Sequence, residues 1–210
     1  MVTAARFQET TSVVVEDRIA GIVKIFDRDV NAVIYRRALD AAITDEARGL
    51  LEPTLQPRKF VVEAGDRAAL GRGLGLPSAI TEDIAFWVGV LADLCDVPLV
   101  GVRLTRAEAA MCPRFHADHV LLRIAIAYAG PGTELLAEEA VDRSKLSPHH
   151  GGLDDEVSGL IRESAAICRA RTGDVVIMKG DLWPADVGGI VHRSPRHTDP
   201  RLLLTLDPLG

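Results

Sequence analysis

The chain has 210 residues and a formal charge of −6 with a pI near 5.5, long enough for one well-buried domain and short for two. Hydrophobic residues make up 48% and charged residues 26%, a globular composition that excludes a disordered or fibrous chain. With no basic tract, the negative charge also excludes a nucleic-acid partner, because phosphate binding draws on clustered Lys and Arg.

Met1 to Asp17 lack a basic region followed by an apolar core, and no stretch approaches the roughly 18 apolar residues of a membrane span. A cytoplasmic protein with no membrane partner is expected. Asn31 to Arg36, rich in Val, Ile and Tyr, reads as a strand leading into a helix near Thr44 to Leu51, which Pro53 and Pro57 end. The Gly- and Pro-rich run Gly71 to Pro77 reads as a loop. Thr81 is then a candidate N-cap for an amphipathic helix through Leu94, carrying Ile84, Phe86, Trp87 and Leu91. From there the pattern changes to short β-like runs: Leu99 to Leu104, His119 to Tyr128, Val175 to Met178, Gly189 to His192 and Leu202 to Leu206. One further helix is predicted from about Asp154 to Cys168, with Val157, Leu160, Ile161 and Ile167 at helical spacing. Early helices and late strands imply an α+β fold, a single domain over 1–210, with a helical N-terminal elaboration over 1–98 and a barrel or sandwich over 99–210.

Cys95, Cys112 and Cys168 lie far apart with no C-x-x-C pair, so neither a disulfide framework nor a thiolate zinc knuckle is indicated. The chemistry concentrates in Cys112-Pro-Arg-Phe-His-Ala-Asp-His119. In an extended strand His116 and Asp118 share a face about 7 Å apart along the backbone, a spacing that suits two ligands of one metal. His192, 192 − 116 = 76 positions later, supplies a third. Two imidazoles and a carboxylate leave open positions on a metal, the arrangement that non-haem Fe(II) oxygenases use. Arg201 opens the last β-like run and places a planar guanidinium where a carboxylate can be held at both oxygens. Arg123, five positions past Asp118, faces away from the metal by strand parity unless a bulge intervenes. Tyr128, Glu134 and Trp183 are candidate pocket residues: the first two flank a glycine-rich turn, and the last can wall an apolar pocket.

His116-x-Asp118, the distal His192 and the following Arg201 resemble the motif of Fe(II)- and 2-oxoglutarate-dependent oxygenases. That resemblance implies a double-stranded β-helix (jelly-roll, cupin-like) barrel, with Fe(II) on the triad and Arg201 on the distal carboxylate of 2-oxoglutarate. More closely, Asn31-Ala-Val-Ile-Tyr-Arg-Arg37, Cys112 to His119, Tyr128-x-Gly-Pro-Gly-Thr-Glu134 and His192-Arg-Ser-Pro195 resemble a bacterial domain-of-unknown-function family, number eighteen twenty-six. Its members have no assigned reaction, and their association with CobW-type metallochaperones implies a second reading, a non-catalytic zinc-binding or metal-handling protein with a metallochaperone partner. Cys112, His119, His149, His150 and His197 are the further groups that zinc would favour. A third reading is a cupin-like enzyme using Zn(II) or Mn(II) as a Lewis acid, with Arg201 orienting an acidic substrate.

Overall fold

The computed structural model describes residues 11–53, 55–75, 78–146, 153–162, 167–184 and 188–210. In chain order the strands and α-helices are β1 (Val13–Glu16), β2 (Ala32–Tyr35), α1 (Ala41–Gly49), β3 (Arg58–Glu63), α2 (Arg67–Leu74) and α3 (Ser78–Cys95). They continue as β4 (Leu99–Ala107), β5 (Leu122–Ala129), β6 (Glu134–Leu136), β7 (Ile167–Arg169), β8 (Val175–Lys179), β9 (Val191–Arg193) and β10 (Arg201–Leu209). A 3-10 helix, Ile19–Phe26, joins β1 to β2.

Period-two burial organises the centre. Val100, Val102 and Leu104 of β4 and Leu202, Leu204 and Leu206 of β10 are buried, as one covered face of a pleated strand requires. The two strands pair antiparallel with Leu204 opposite Leu104. They sit in a seven-stranded sheet of order β1-β2-β8-β5-β10-β4-β3, opposed by a small sheet of order β7-β6-β9. A bridge between His116 and His192 adds the segment before β5 to the free side of β9. Four segments facing four, joined antiparallel, form a double-stranded β-helix, with β1, β2 and β3 as additions to the large sheet.

Two cores result. On the outer face, α3 buries Ile80, Ile84, Trp87, Val88 and Leu91 at helical spacing against Ile124, Ile126, Ile177 and Leu204. Between the sheets, Ile34, Ala125, Val176 and Met178 meet Phe115, Leu135, Cys168 and Val191. No helix among the described residues is long and apolar enough to cross a membrane.

Three expectations are corrected. The residues before Leu99 are not only helical, since they supply three strands to the large sheet. The run from Gly71 is no loop at its start: α2 continues to Leu74, with Asp66 accepting from the Ala69 amide at 2.8 Å as N-cap and Gly75 closing it in the left-handed region at φ 58°. No helix spans Asp154 to Cys168. Residues 155–159 form turns around Gly159 at φ 80°, Ile161 bridges Val141, and Ile167 to Arg169 are β7. The apolar spacing misleads there because Leu160 is buried while Val157 is 70% exposed, so the four residues do not share one face.

Tyr128 lies on the helix side of the sheet. Its hydroxyl donates to Asp83 Oδ2 at 2.6 Å, and Arg37 donates to both Asp83 oxygens at 2.5 and 2.8 Å. Burial first, and then the Asp83 charge, push the Tyr128 phenol well above its ordinary range, so it remains a donor. Asp83→Ala leaves the Arg37 charge buried without its acid and is expected to lower the unfolding free energy by about 3–5 kcal/mol. Urea denaturation checks this, with metal uptake unchanged because the network lies across the sheet from the cleft.

Candidate metal centre

The bridge between His116 and His192 is a hydrogen-bonded antiparallel pair: the His116 amide donates to the His192 carbonyl at 3.0 Å, and the reverse bond is 2.9 Å. Opposite residues in such a pair project to the same face, and the imidazole centroids stand 4.6 Å apart. Each ring is oriented from behind. His116 Nδ1 lies 2.9 Å from the Arg114 carbonyl and His192 Nδ1 lies 3.1 Å from the Ile190 carbonyl. A carbonyl only accepts, so each Nδ1 carries the proton and each Nε2 lone pair is free to take a metal.

Asp118 completes the set, with Oδ1 at 3.4 Å from His116 Nε2 and Oδ2 at 3.2 Å from His192 Nε2. One donor atom from each of the three residues lies within 4.8 Å of the others. Asp118, two residues past the bridge, stands beside His116 as the spacing expects, and the chain then bends over 119–121. The bend is held by β8's exit: the Gly180 amide donates to the Leu121 carbonyl and the Asp181 amide to the Asp118 carbonyl. A Cβ on Gly180 would fall 2.1 Å from the Val120 carbonyl oxygen, so only glycine permits this approach.

The bend also corrects the reading of Arg123. It interrupts the parity that would turn Arg123 away, and the Arg123 guanidinium donates to Asp118 Oδ2 while its other nitrogens bind Asp207 at 2.6 and 2.8 Å. Burial works to raise the Asp118 pKa. The two histidines beside it and the Arg123 charge outweigh it and hold the carboxyl well below its usual range. The same carboxylate, against burial, raises the His116 pKa.

The three side chains stand in a cleft of about 610 Å³ counted out to its open mouth. Arg201 lines the same cleft and is 1% exposed. Its Nη1 and Nη2 reach only hydroxyls, Ser194 Oγ at 3.5 Å and Thr133 Oγ1 at 3.3 Å, and Nε has no partner. Among the described residues no carboxylate answers its charge, and burial pushes its pKa down to about 10. A buried guanidinium surrounded by hydroxyls and facing a cleft has the geometry to accept a planar anion. Thr133 and Ser194, which flank it, were not singled out in the sequence, and Arg123 was weighed there only as facing away. Thr133 and Ser194 sit in the quoted motifs, but nothing in their spacing marks them.

The other candidates fall elsewhere. Tyr128 faces the helices, as described. Trp183 packs 5.9 Å from the Phe26 ring with Lys179 5.2 Å over its own ring, capping the outer core. Glu134 lines no cleft: its oxygens accept from Arg169 and Arg193 at 2.8 Å each, and it acts by fixing Arg193 at the cleft wall. Cys112 lines the cleft, and neither it, His119 nor His197 joins the three-residue donor set; His197 Nδ1 turns to the Asp199 carbonyl at 2.7 Å. His149 and His150 lie outside the described residues. Among the described residues a closed four-ligand zinc site is therefore not formed.

Fold and geometry define a double-stranded β-helix protein with two histidines and one carboxylate gathered in its cleft. Residues 16–207 match the family described as "Protein of unknown function (DUF1826)", and the chain belongs to it. No curated protein matches the chain. Among solved structures, a dioxygenase for auxin oxidation from rice superposes with a TM-score of 0.55 at 12% identity, over 95% of this chain and 83% of that one. The Arabidopsis thaliana counterpart, in complex with 2-oxoglutarate, gives 0.51 at 11% identity, over 96% and 93%. HygX from Streptomyces hygroscopicus, with nickel and 2-oxoglutarate bound, gives 0.51 at 13% identity, over 91% and 87%. At such identities the likeness is one of fold, the double-stranded β-helix.

Two outcomes are expected. Gly180→Ala drives a methyl group into the 118–121 bend and should cost about 1–3 kcal/mol in denaturation while weakening divalent-metal uptake. A metal takes the neutral imidazole, so protons compete for His116, whose pKa stands above its ordinary value of 6.5. Calorimetric titration with Ni(II) should therefore show affinity falling as pH is lowered, beginning above pH 6.5.

Proposed function

We propose that the protein is an Fe(II)- and 2-oxoglutarate-dependent oxygenase acting on a substrate bound in the same cleft. The observation that carries this reading is the pairing, in one cleft, of three convergent metal donors with a buried Arg201 that has no acid partner among the described residues. A metal site alone fits many chemistries; a metal site beside an unanswered planar cation fits a chelating co-substrate with a second carboxylate. The donors suit the group: two neutral imidazoles and one carboxylate on one side leave the opposite side of the metal open.

His116, Asp118 and His192 would hold the iron. Arg201, with the hydroxyls of Thr133 and Ser194, would take the distal carboxylate of 2-oxoglutarate. When bound, iron with 2-oxoglutarate and oxygen supplies the oxidising power for attack on a substrate C–H bond, with 2-oxoglutarate leaving as succinate and carbon dioxide. The chain's residues do the rest. Arg123 keeps the Asp118 carboxylate anionic and aimed, and the carbonyls of Arg114 and Ile190 keep both imidazoles in the ligating tautomer. Apolar residues Ala125, Met178 and Leu203 line the cleft and limit water at the reacting centre.

Arg201→Gln removes the buried charge while keeping a polar group. It should weaken 2-oxoglutarate binding about 100-fold with Ni(II) affinity retained, as read by calorimetry. With Fe(II) in air the unaltered protein should form succinate from 2-oxoglutarate. If it neither binds 2-oxoglutarate nor forms succinate, the proposal fails.

A further inference from the structure

The cleft holds four arginines, and they are not equivalent. Arg123 is neutralised by Asp118 and Asp207, and Arg193 by Glu134, Asp155 and Glu156. Arg201 is assigned above. Arg103 remains: it lines the cleft, and among the described residues no carboxylate pairs with it.

The sheet register strengthens its significance. Arg103 on β4 lies opposite Thr205 on β10 and opposite Lys59 on β3, and Thr205 lies opposite Ala125. Opposite residues share a face, so Lys59, Arg103, Thr205 and Ala125 form one row running from the sheet's edge into the cleft. Lys59 also lacks a carboxylate partner among the described residues. Two like charges directly opposite destabilise a strand pair, and both side chains are exposed, so an anion from solvent can reach the two together. Along the strands from this row, Val61 and Leu99 are 55% and 41% exposed, so that part of the face is uncovered among the described residues. Thr205 is four residues from Arg201 on the same strand and face, about 13 Å away along the sheet. An anion at the row and a carboxylate at Arg201 are therefore separate occupants.

We propose that Lys59, Arg103 and Thr205 are the substrate-recognition edge of this cleft and receive the anionic group, a carboxylate or a phosphate, of a small organic acid. Its apolar body lies over Ala125, Met178 and Leu203. The inference rests on the oxygenase reading only in taking the bound acid to be a substrate; the anion site itself is a property of the row. Charge selects the ligand: a carboxylate or phosphate relieves the repulsion between the two cations, whereas a neutral or cationic analogue leaves it.

Three probes of one shape test it: phenylacetate, phenyl phosphate and the neutral phenylacetamide, titrated calorimetrically into the full chain holding Ni(II) and saturating 2-oxoglutarate. At least one anion is expected to bind about tenfold or more tightly than the amide, with the advantage shrinking as salt is added. Which anion wins separates a carboxylate from a phosphate ligand. In the Lys59→Gln/Arg103→Gln double variant the preference should disappear, while Ni(II) and 2-oxoglutarate affinities stay unchanged. The same titration in Arg201→Gln protein without 2-oxoglutarate should keep the preference, which distinguishes this site from Arg201 and leaves it testable even if 2-oxoglutarate does not bind. Anions that bind no better than the amide, absence of binding by all three probes, or a preference that survives the double variant would overturn the inference.

Discussion

Two backbone hydrogen bonds between His116 and His192 carry the architecture of the candidate centre. They join residues 76 positions apart (192 − 116), and they do so in the pairing geometry that forces both side chains to one face. Once that pair forms, the tautomers follow, because each Nδ1 already meets a carbonyl of its own strand segment two residues back. Asp118 lies two residues beyond the pair, and the close approach of Gly180 to the Asp118 and Val120 carbonyls fixes the backbone there. The centre is thus a consequence of how the small sheet closes, and its precision comes from backbone groups that substitution of neighbouring side chains cannot remove.

Around that pair the charges are distributed by need. Asp118 is drawn upon by two imidazoles and one guanidinium, and this surplus of donors offsets the desolvation of a partly buried carboxylate. Arg193, stacked 4.3 Å over Phe115 and bound by three acids, ties β9 to the turn that follows residue 153. Arg201 alone is placed in the interior with hydroxyls for company. Burying a guanidinium without a counter-charge costs stability unless something completes the pairing, which is why its environment reads as a receptor rather than as structure.

The legible part of this molecule was whatever depended on local spacing or on long alternating runs. The strands around Ile34, Val102, Ile124, Ile177 and Leu204, the helices around Ala47 and Trp87, and the donor set His116, Asp118 and His192 all follow from such patterns. Facing was legible only in hindsight. In β5 the large residues Ile124, Ile126 and Tyr128 alternate with Ala125 and Ala127, and the sheet–sheet gap takes the small ones while the helices take the large. That alternation places Tyr128 outside the cleft. Glu134 and Trp183 failed for another reason, that their partners Arg193, Arg169 and Phe26 are distant in sequence and nothing local announces them. Short strands such as β6 and β7, three residues each, carry too little pattern to be read, and the apolar spacing after Asp154 imitated a helix that Gly159 does not allow.

Arg201 opens one end of the β4–β10 pair and Arg103 sits at its middle; among the described residues neither has an acid partner, and the pleat explains why this is possible. β10 presents Arg201, Leu203 and Thr205 to the cleft and buries Leu202, Leu204 and Leu206 behind them, so a single strand both anchors the fold and lays out a floor. Stability is carried by the leucine face against α3, which leaves the other face free to hold charge that the fold does not use. A jelly roll whose small sheet covers only part of the large one therefore has an enclosed end and an open ledge by construction. In the proposed reading the enclosed end, at Arg201, is where the co-substrate would be held. Lys59 and Arg103, on the exposed side of the same sheet face, lie apart from the pair of histidines, so the proposed substrate edge and the metal donors are built from different strands.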